Sequence, residues 1–311
     1  MPQSHNSKVL RLGTRGSKLA TTQSGMVRDL LIAGGAPCEL VIVKTSGDRI
    51  QDRSLADAGG KGLFTKELEE ALKDHRIDLA VHSMKDVPVE MPEGLMLAAI
   101  LPREDPRDAF LSHKAKTLAE LPEGARMGTS SVRRQAQLSR ARPDVEVGLL
   151  RGNVDTRLGK LDSGELDAIL LAYAGLRRLG LGERATSLLP LEDWLPALAQ
   201  GAIGIEIREN DADTRAAVSP LNDQATAVAL SCERGFQAAL DGSCRTPIAG
   251  LARFADGVLR FRGEVLSPDG KDSVDTQFEA RLGTNPEEEA ARLGRKAGLA
   301  IKPRAAAWLQ V

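Results

Sequence analysis

Three sets of residues in this sequence are of types that do chemistry: a cysteine on a loop, a series of arginines, and an aspartate. Cys244 lies in 241-DGSCRTPIAG-250, where glycine and proline impose a non-helical loop and leave the sulfur reachable. Arg245 beside it favours the thiolate over a thiol of ordinary pKa about 8.5. A turnover nucleophile of the hydrolase kind would want a histidine base, and His5, His75, His82 and His113 form no such partner motif. Cys244 therefore reads as an attachment point. Cys38, at the lip of a strand, and Cys232, on an apolar helix face, read as packing residues.

Arg15, Arg133, Arg134, Arg151 and Arg157 fall in or just after loops that follow apolar, strand-like runs. In open α/β sheets the carboxyl ends of the strands line the ligand crevice. Guanidiniums grip carboxylates or phosphates with paired hydrogen bonds. The hydroxyls of 129-TSS-131, at a helix start, add donors and a favourable dipole. Five such arginines imply an anionic ligand with several acidic groups. Asp86, in 83-SMKDVP-88, stands at the tip of an apolar strand. It is either a turn aspartate bonded to its own backbone or an acid that meets a donor N–H or a developing cation.

These residues need a scaffold, and the chain supplies an α/β rhythm of short apolar runs and helical stretches. Val9–Leu12, 39-ELVIVK-44, 77-IDLAVHS-83, 145-VEVGLL-150 and 167-DAILLAY-173 read as strands. Helices are expected up to Ala33 and over 63-LFTKELEEALKD-74 and 129-TSSVRRQAQLSRAR-142, with another starting after 151-RGNVDTR-157. The proline- and charge-rich 102-PREDPRDAF-110 reads as a linker or hinge. Past residue 220 the pattern changes: Val228, Cys232, Phe236 and Leu240 recur every four residues, as on an amphipathic helix. The alternating 258-VLRFRGEV-265 reads as antiparallel strand, and Asn285-Pro286-Glu287 as a helix start. The predicted fold is two α/β lobes and a smaller C-terminal α+β domain.

With 311 residues there is room for two or three cores. A net charge of -1 gives no basic field for nucleic acid, and 3% aromatic content leaves few stacking platforms for single strands. No apolar run reaches membrane-spanning length, and the N-terminus lacks a secretory pattern. Three cysteines without C-x-x-C spacing argue against disulfides and a zinc knuckle. The expected location is the cytoplasm. Two glycine-rich runs carry no nucleotide: 59-GGKGLF-64 lacks P-loop spacing and reads as a mobile loop, while 180-GLGERA-185 follows a helix instead of a strand. His82 and Asp86 make no metal site.

Eight ordered motifs resemble the porphobilinogen deaminase family: 14-TRGSKLA-20, 59-GGKGLFTKELE-69, 78-DLAVHSMKDVP-88, 104-EDPRDAF-110, 128-GTSSVRRQ-135, 151-RGNVDTRLGKLDSGELDAI-169, 199-AQGAIGIE-206 and the Cys244 loop. The resemblance implies two lobes like those of type II periplasmic binding proteins, plus a third domain that presents Cys244. The implied boundaries are 1–103 with 199–219, 104–198, and 220–311. It implies a monomeric hydroxymethylbilane synthase that adds four porphobilinogens, each losing ammonia, to a covalent dipyrromethane on Cys244, then releases hydroxymethylbilane by hydrolysis. Asp86 would accept pyrrole N–H bonds and stabilise the cationic azafulvene derived from porphobilinogen. The implied binding residues are Arg15, Ser17, Lys61, Phe64, Ser83, Lys85, Thr129, Ser131, Arg133, Arg134, Arg151, Arg157, Arg178 and Gln200. Phe64 and the glycine loop before it would form a lid. The chain departs from the family pattern at Ser243 and Arg245, where glycine and glutamine are frequent, and at Lys18, where proline is. Two rival readings are a non-catalytic solute-binding protein for a polycarboxylate and an enzyme using Cys244 directly.

Overall fold

The computed structural model of the protein describes residues 8–46, 62, 64–240 and 246–309. Cys244, with Ser243 and Arg245, lies outside the described residues, as do Lys61 and most of the glycine-rich loop. Two compact units emerge. The first takes in the described residues of Met1–Ile50, Gly62–Pro102 and Ile203–Asp223; the second takes in those of Arg103–Ala202 and Gln224–Val311.

The first unit holds β1 (Leu10–Thr14), α1 (Lys18–Ala33), β2 (Cys38–Ile42), α2 (Lys66–Lys73), β3 (Leu79–Ser83) and β4 (Leu95–Ile100). The second contributes β5 (Asp108–Ser112), β6 (Arg126–Gly128), α3 (Val132–Ala141), β7 (Glu146–Gly148), α4 (Val154–Asp162), β8 (Ala168–Ala172), α5 (Tyr173–Arg178) and β9 (Ser187–Leu188). The chain then returns to the first unit with β10 (Ile203–Arg208) and α6 (Ala212–Val218). It ends in the second with α7 (Gln224–Ala239), β11 (Ile248–Ala255), β12 (Val258–Leu266), β13 (Ser273–Arg281) and α8 (Pro286–Leu309).

Two of the three sheets share one plan. The first runs β2-β1-β3-β10-β4 and the second β7-β6-β8-β5-β9. In each, the first three strands are parallel and the fourth is antiparallel to its neighbours. The same mixed α/β plan thus occurs twice in the chain. The central strands β3 (LAVHS) and β8 (AILLA) are buried over four residues each. Coverage on both faces explains why they read as unbroken apolar runs. The third sheet, β11-β12-β13, is an antiparallel meander covered by α7 and α8. There Phe236, Phe261 and Val265 are buried in one core with Cys232. Both described cysteines are buried packing residues, and burial pushes the Cys38 thiol up to about 11.

One sequence expectation needs correction. The stretch 102–110 is a linker only in its first part, because Asp108 opens the buried strand β5. The strand begins on a charge whose partners are distant in sequence, so local composition hid it. The segments where the chain passes between units are anchored on α7. Glu233, fully buried there, accepts from Arg103 Nη1 at 2.6 Å, from the Ala252 N–H at 2.7 Å and from the Ala199 N–H.

Candidate functional site

Local sequence places the site residues by one repeated device: a parallel strand ends, the loop turns, and a hydroxyl or amide caps the next helix. Ser17, Ser131 and Asn153 accept from the backbone N–H groups of Ala20, Arg134 and Thr156 at 3.3, 3.4 and 2.8 Å. Each uses a side-chain oxygen for a donor the helix cannot satisfy itself. The residues between strand and cap are thus held at the carboxyl edge of each sheet.

In the first unit, Arg15 follows β1 and its guanidinium lies 4.0 Å from the centroid of the Phe64 ring. This is cation–π range. Ser83, the last residue of the adjacent strand β3, accepts from Gln23 Nε2 of α1 at 3.1 Å. A 3-10 turn over Met84–Asp86 follows. Its first residue, Met84, and the following Val87 are 1% and 6% exposed, and the Val87 N–H donates to the Met84 carbonyl at 3.2 Å. The turn is pinned at both ends. Between the pins, Lys85 is exposed and Asp86 half-buried, and among the described residues Asp86 has no hydrogen-bond or ion-pair partner. The turn aspartate bonded to its own backbone is not what forms.

In the second unit, Thr129 and Ser131 follow β6, Arg151 follows β7, and Arg178 lies on α5 after β8. The Ser131 backbone N–H donates to Thr129 Oγ1 at 3.2 Å, which fixes the threonine hydroxyl beside the helix start. Arg157 Nε donates to the Gly152 carbonyl at 2.9 Å, and Arg178 Nη2 to the Gly201 carbonyl at 2.6 Å. Burial lowers the pKa of Arg178, with Glu104 opposing. Burial also lowers that of Arg151, whose Nε is buried with no partner among the described residues.

Arg133 and Arg134 are differently placed. Both are nearly buried and converge on Asp108, Arg133 Nη1 at 2.9 Å and Arg134 Nη2 at 2.6 Å. Trp194 Nε1 and Gln200 Nε2 also donate to this carboxylate, at 2.9 and 2.8 Å. Burial alone would push the Asp108 carboxyl up, but the two guanidiniums outweigh it and hold it well below the usual carboxylate range. Arg133, Arg134 and Gln200, expected from sequence to face a ligand, thus have an internal acid as a partner first. The Nε atoms of Arg133 and Arg134 remain buried without a partner among the described residues. Asp108 and Trp194 went unremarked in the sequence. A charge abutting the apolar run 109-AFL-111 was the signal that could have exposed the acid.

Two family models cover most of the chain. "Porphobilinogen deaminase, dipyromethane cofactor binding domain" matches residues 10–216, and "Porphobilinogen deaminase, C-terminal domain" matches residues 227–303. The chain belongs to the porphobilinogen deaminase family. A curated porphobilinogen deaminase of Phenylobacterium zucineum is 52% identical over 310 residues, covering 96% of this chain and 97% of that one. Another, of Nitrobacter hamburgensis, is 53% identical over 298 residues, covering 94% and 93%. Among solved structures, a putative methionine-binding lipoprotein of Bacillus subtilis overlaps 70% of this chain and 92% of its own at 14% identity and a TM-score of 0.43. That likeness is too distant to bear on function. What a porphobilinogen deaminase requires of its cofactor domain is donors for acidic side chains. The Nε atoms of Arg133, Arg134 and Arg151, buried without a partner among the described residues, are donors that such side chains would fill.

Proposed function

We propose that the chain is a hydroxymethylbilane synthase in which Cys244 anchors the dipyrromethane and Asp86 is the catalytic acid group. The reaction condenses four porphobilinogen molecules, with loss of ammonia, onto the covalent primer and releases hydroxymethylbilane by hydrolysis. When bound, the dipyrromethane supplies the nucleophilic pyrrole carbon from which the chain grows. Every ring carries an acetate and a propionate, so each unit must supply donors. Arg15, Ser17, Ser83 and Lys85 would do so in the first unit, with Phe64 beside them, and Lys61, outside the described residues, would add a further donor. Thr129, Ser131, Arg133, Arg134, Arg151, Arg157, Arg178 and Gln200 would do so in the second. Three proposed domains, 1–103 with 199–219, 104–198 and 220–311, carry these sets.

Asp86 carries the mechanistic reading: a carboxylate held by Met84 and Val87, half-buried and without a partner among the described residues. Such an acceptor is preorganised for a pyrrole N–H and for positive charge that develops as ammonia leaves. A cytoplasmic monomer belongs to the same proposal. Among the described residues no helix is long and apolar enough to cross a membrane. No observation favours the solute-binding alternative.

Intact mass tests the assignment. Protein from cells that make porphobilinogen should be heavier than its sequence by one dipyrrole, and Cys244→Ala should purify without it. An unmodified wild-type mass overturns the anchor.

A further inference from the structure

The motif 199-AQGAIGIE-206 leaves Gly204 and Glu206 without a role in binding. Both lie on β10, which pairs antiparallel with β3 so that Gly204 stands opposite His82 and Glu206 opposite Ala80. Alternation along the strands puts these four on one face. Ala80 of that face packs with Leu68, Ala71 and Leu72 of α2. Ile203, Ile205 and Ile207, on the other face, pack with Val27 and Leu31 of α1. Both faces of this sheet are thus mainly apolar, and buried charge gathers at two points, one around Asp78 and Arg208 just before β3 and the other near the end of β3.

At the second point His82 Nε2 and Glu206 Oε2 are 2.8 Å apart, and the two residues are 5% and 1% exposed. Glu69 of α2 faces the same pair; burial pushes its carboxyl up, and the charge of Glu206 adds to the shift. Burying such groups is not a stabilising choice, since apolar residues of like volume serve as well or better. A hydrogen bond does what an apolar contact does not: it fixes the direction of the side chain. Two residues further on, Met84 is 1% exposed, and a Cβ added to Gly204 would stand 2.2 Å from its Sδ. A side chain larger than glycine's there would force the methionine to shift from its seat.

His82 and Met84 flank Ser83 and lead into the turn that presents Asp86. We infer that Glu206 and Gly204 are positioning residues for the reaction, Glu206 orienting the end of β3 through His82 and Gly204 seating the Asp86 turn through Met84. The inference rests on the role given above to Asp86.

Its test compares Glu206→Leu, Glu206→Gln, His82→Phe and Gly204→Ala in the full-length, cofactor-bearing protein, with intact mass reporting dipyrromethane occupancy. Glu206→Leu and Gly204→Ala should keep wild-type occupancy and a KM for porphobilinogen within about twofold, while kcat falls about tenfold or more, as small misplacements of a reacting group do. Glu206→Gln still accepts from a His82 N–H and should recover to within about threefold of wild type. The double variant His82→Phe/Glu206→Leu should be no slower than the worse single one. If Glu206→Leu fails to fold or load, Gly204→Ala decides, because its perturbation is steric alone. Wild-type kcat in the loaded Gly204→Ala protein overturns the inference, as does a Glu206→Gln protein no faster than a loaded Glu206→Leu. Asp86→Asn measured alongside separates the failures. Normal turnover in Asp86→Asn sinks the reading of Asp86, whereas slow turnover there beside unaffected β10 variants sinks only this inference.

Discussion

Asp86 and Asp108 occupy like places in two like sheets. Asp86 closes the turn after β3, and Asp108 pairs opposite Ala172, the last residue of β8. Both therefore stand at the carboxyl edge of the third parallel strand of their sheet, yet their surroundings are opposite. Asp108 is fully buried and takes donors from Arg133, Arg134, Trp194 and Gln200. Asp86 is half-exposed and takes none among the described residues. A carboxylate withdrawn from water is tolerable only when its acceptor sites are filled. One acid holds a lobe together, and the other, in the reading proposed above, is kept for a partner that is not part of the fold.

The comparison can be broken or sharpened by substitution. The largest effect is expected at Asp108→Asn, which strands two buried guanidiniums and should cost about 3–5 kcal/mol in chemical denaturation. The carboxyl of Asp108 is held below its ordinary value, so its stabilisation is present above the usual carboxylate pKa and fades as pH falls below it. The stability gap between wild type and Asp108→Asn should therefore narrow from pH 7 toward pH 3. An unchanged gap would show that the charge is not what counts.

Asp86→Asn should leave the melting temperature unmoved and the dipyrrole in place, while single-turnover rates fall about 10²–10³-fold, the loss typical of one preorganised electrostatic group. A matching fall in stability would make Asp86 a second Asp108. The smallest overall effect is expected at Arg151→His. Among the described residues no counter-charge acts on this guanidinium, so denaturation should shift by no more than about 0.5 kcal/mol. Dipyrromethane loading or chain growth should slow nonetheless. A large destabilisation would place Arg151 with the structural pair.

Much of the scaffold was legible. The buried runs of β3 and β8 announced themselves as apolar strands, and Ser17, Ser131 and Asn153 sit where a helix start needs an acceptor. Strand β5 was not legible, because its first residue reads as the tail of a charged linker. Nor was the division among the arginines: Arg133, Arg134 and Arg151 all follow strands, and spacing gives them equal standing. The pairing of His82 with Glu206 spans 124 residues, and that of Asp108 with Gln200 spans 92. Neither has a local signature.

Strand, turn and cap are decided within a few residues, by alternation and by the unfilled N–H groups of a helix end, so the chain alone settled which side chains reach the sheet edges. Whether a charge arriving there is neutralised depends on partners brought from far along the chain and on how much water they exclude. Burial and long-range pairing exist only in the folded molecule, and they alone decided that Asp108 is silenced, that Asp86 meets no partner among the described residues, and that Glu206 of β10 pairs with His82.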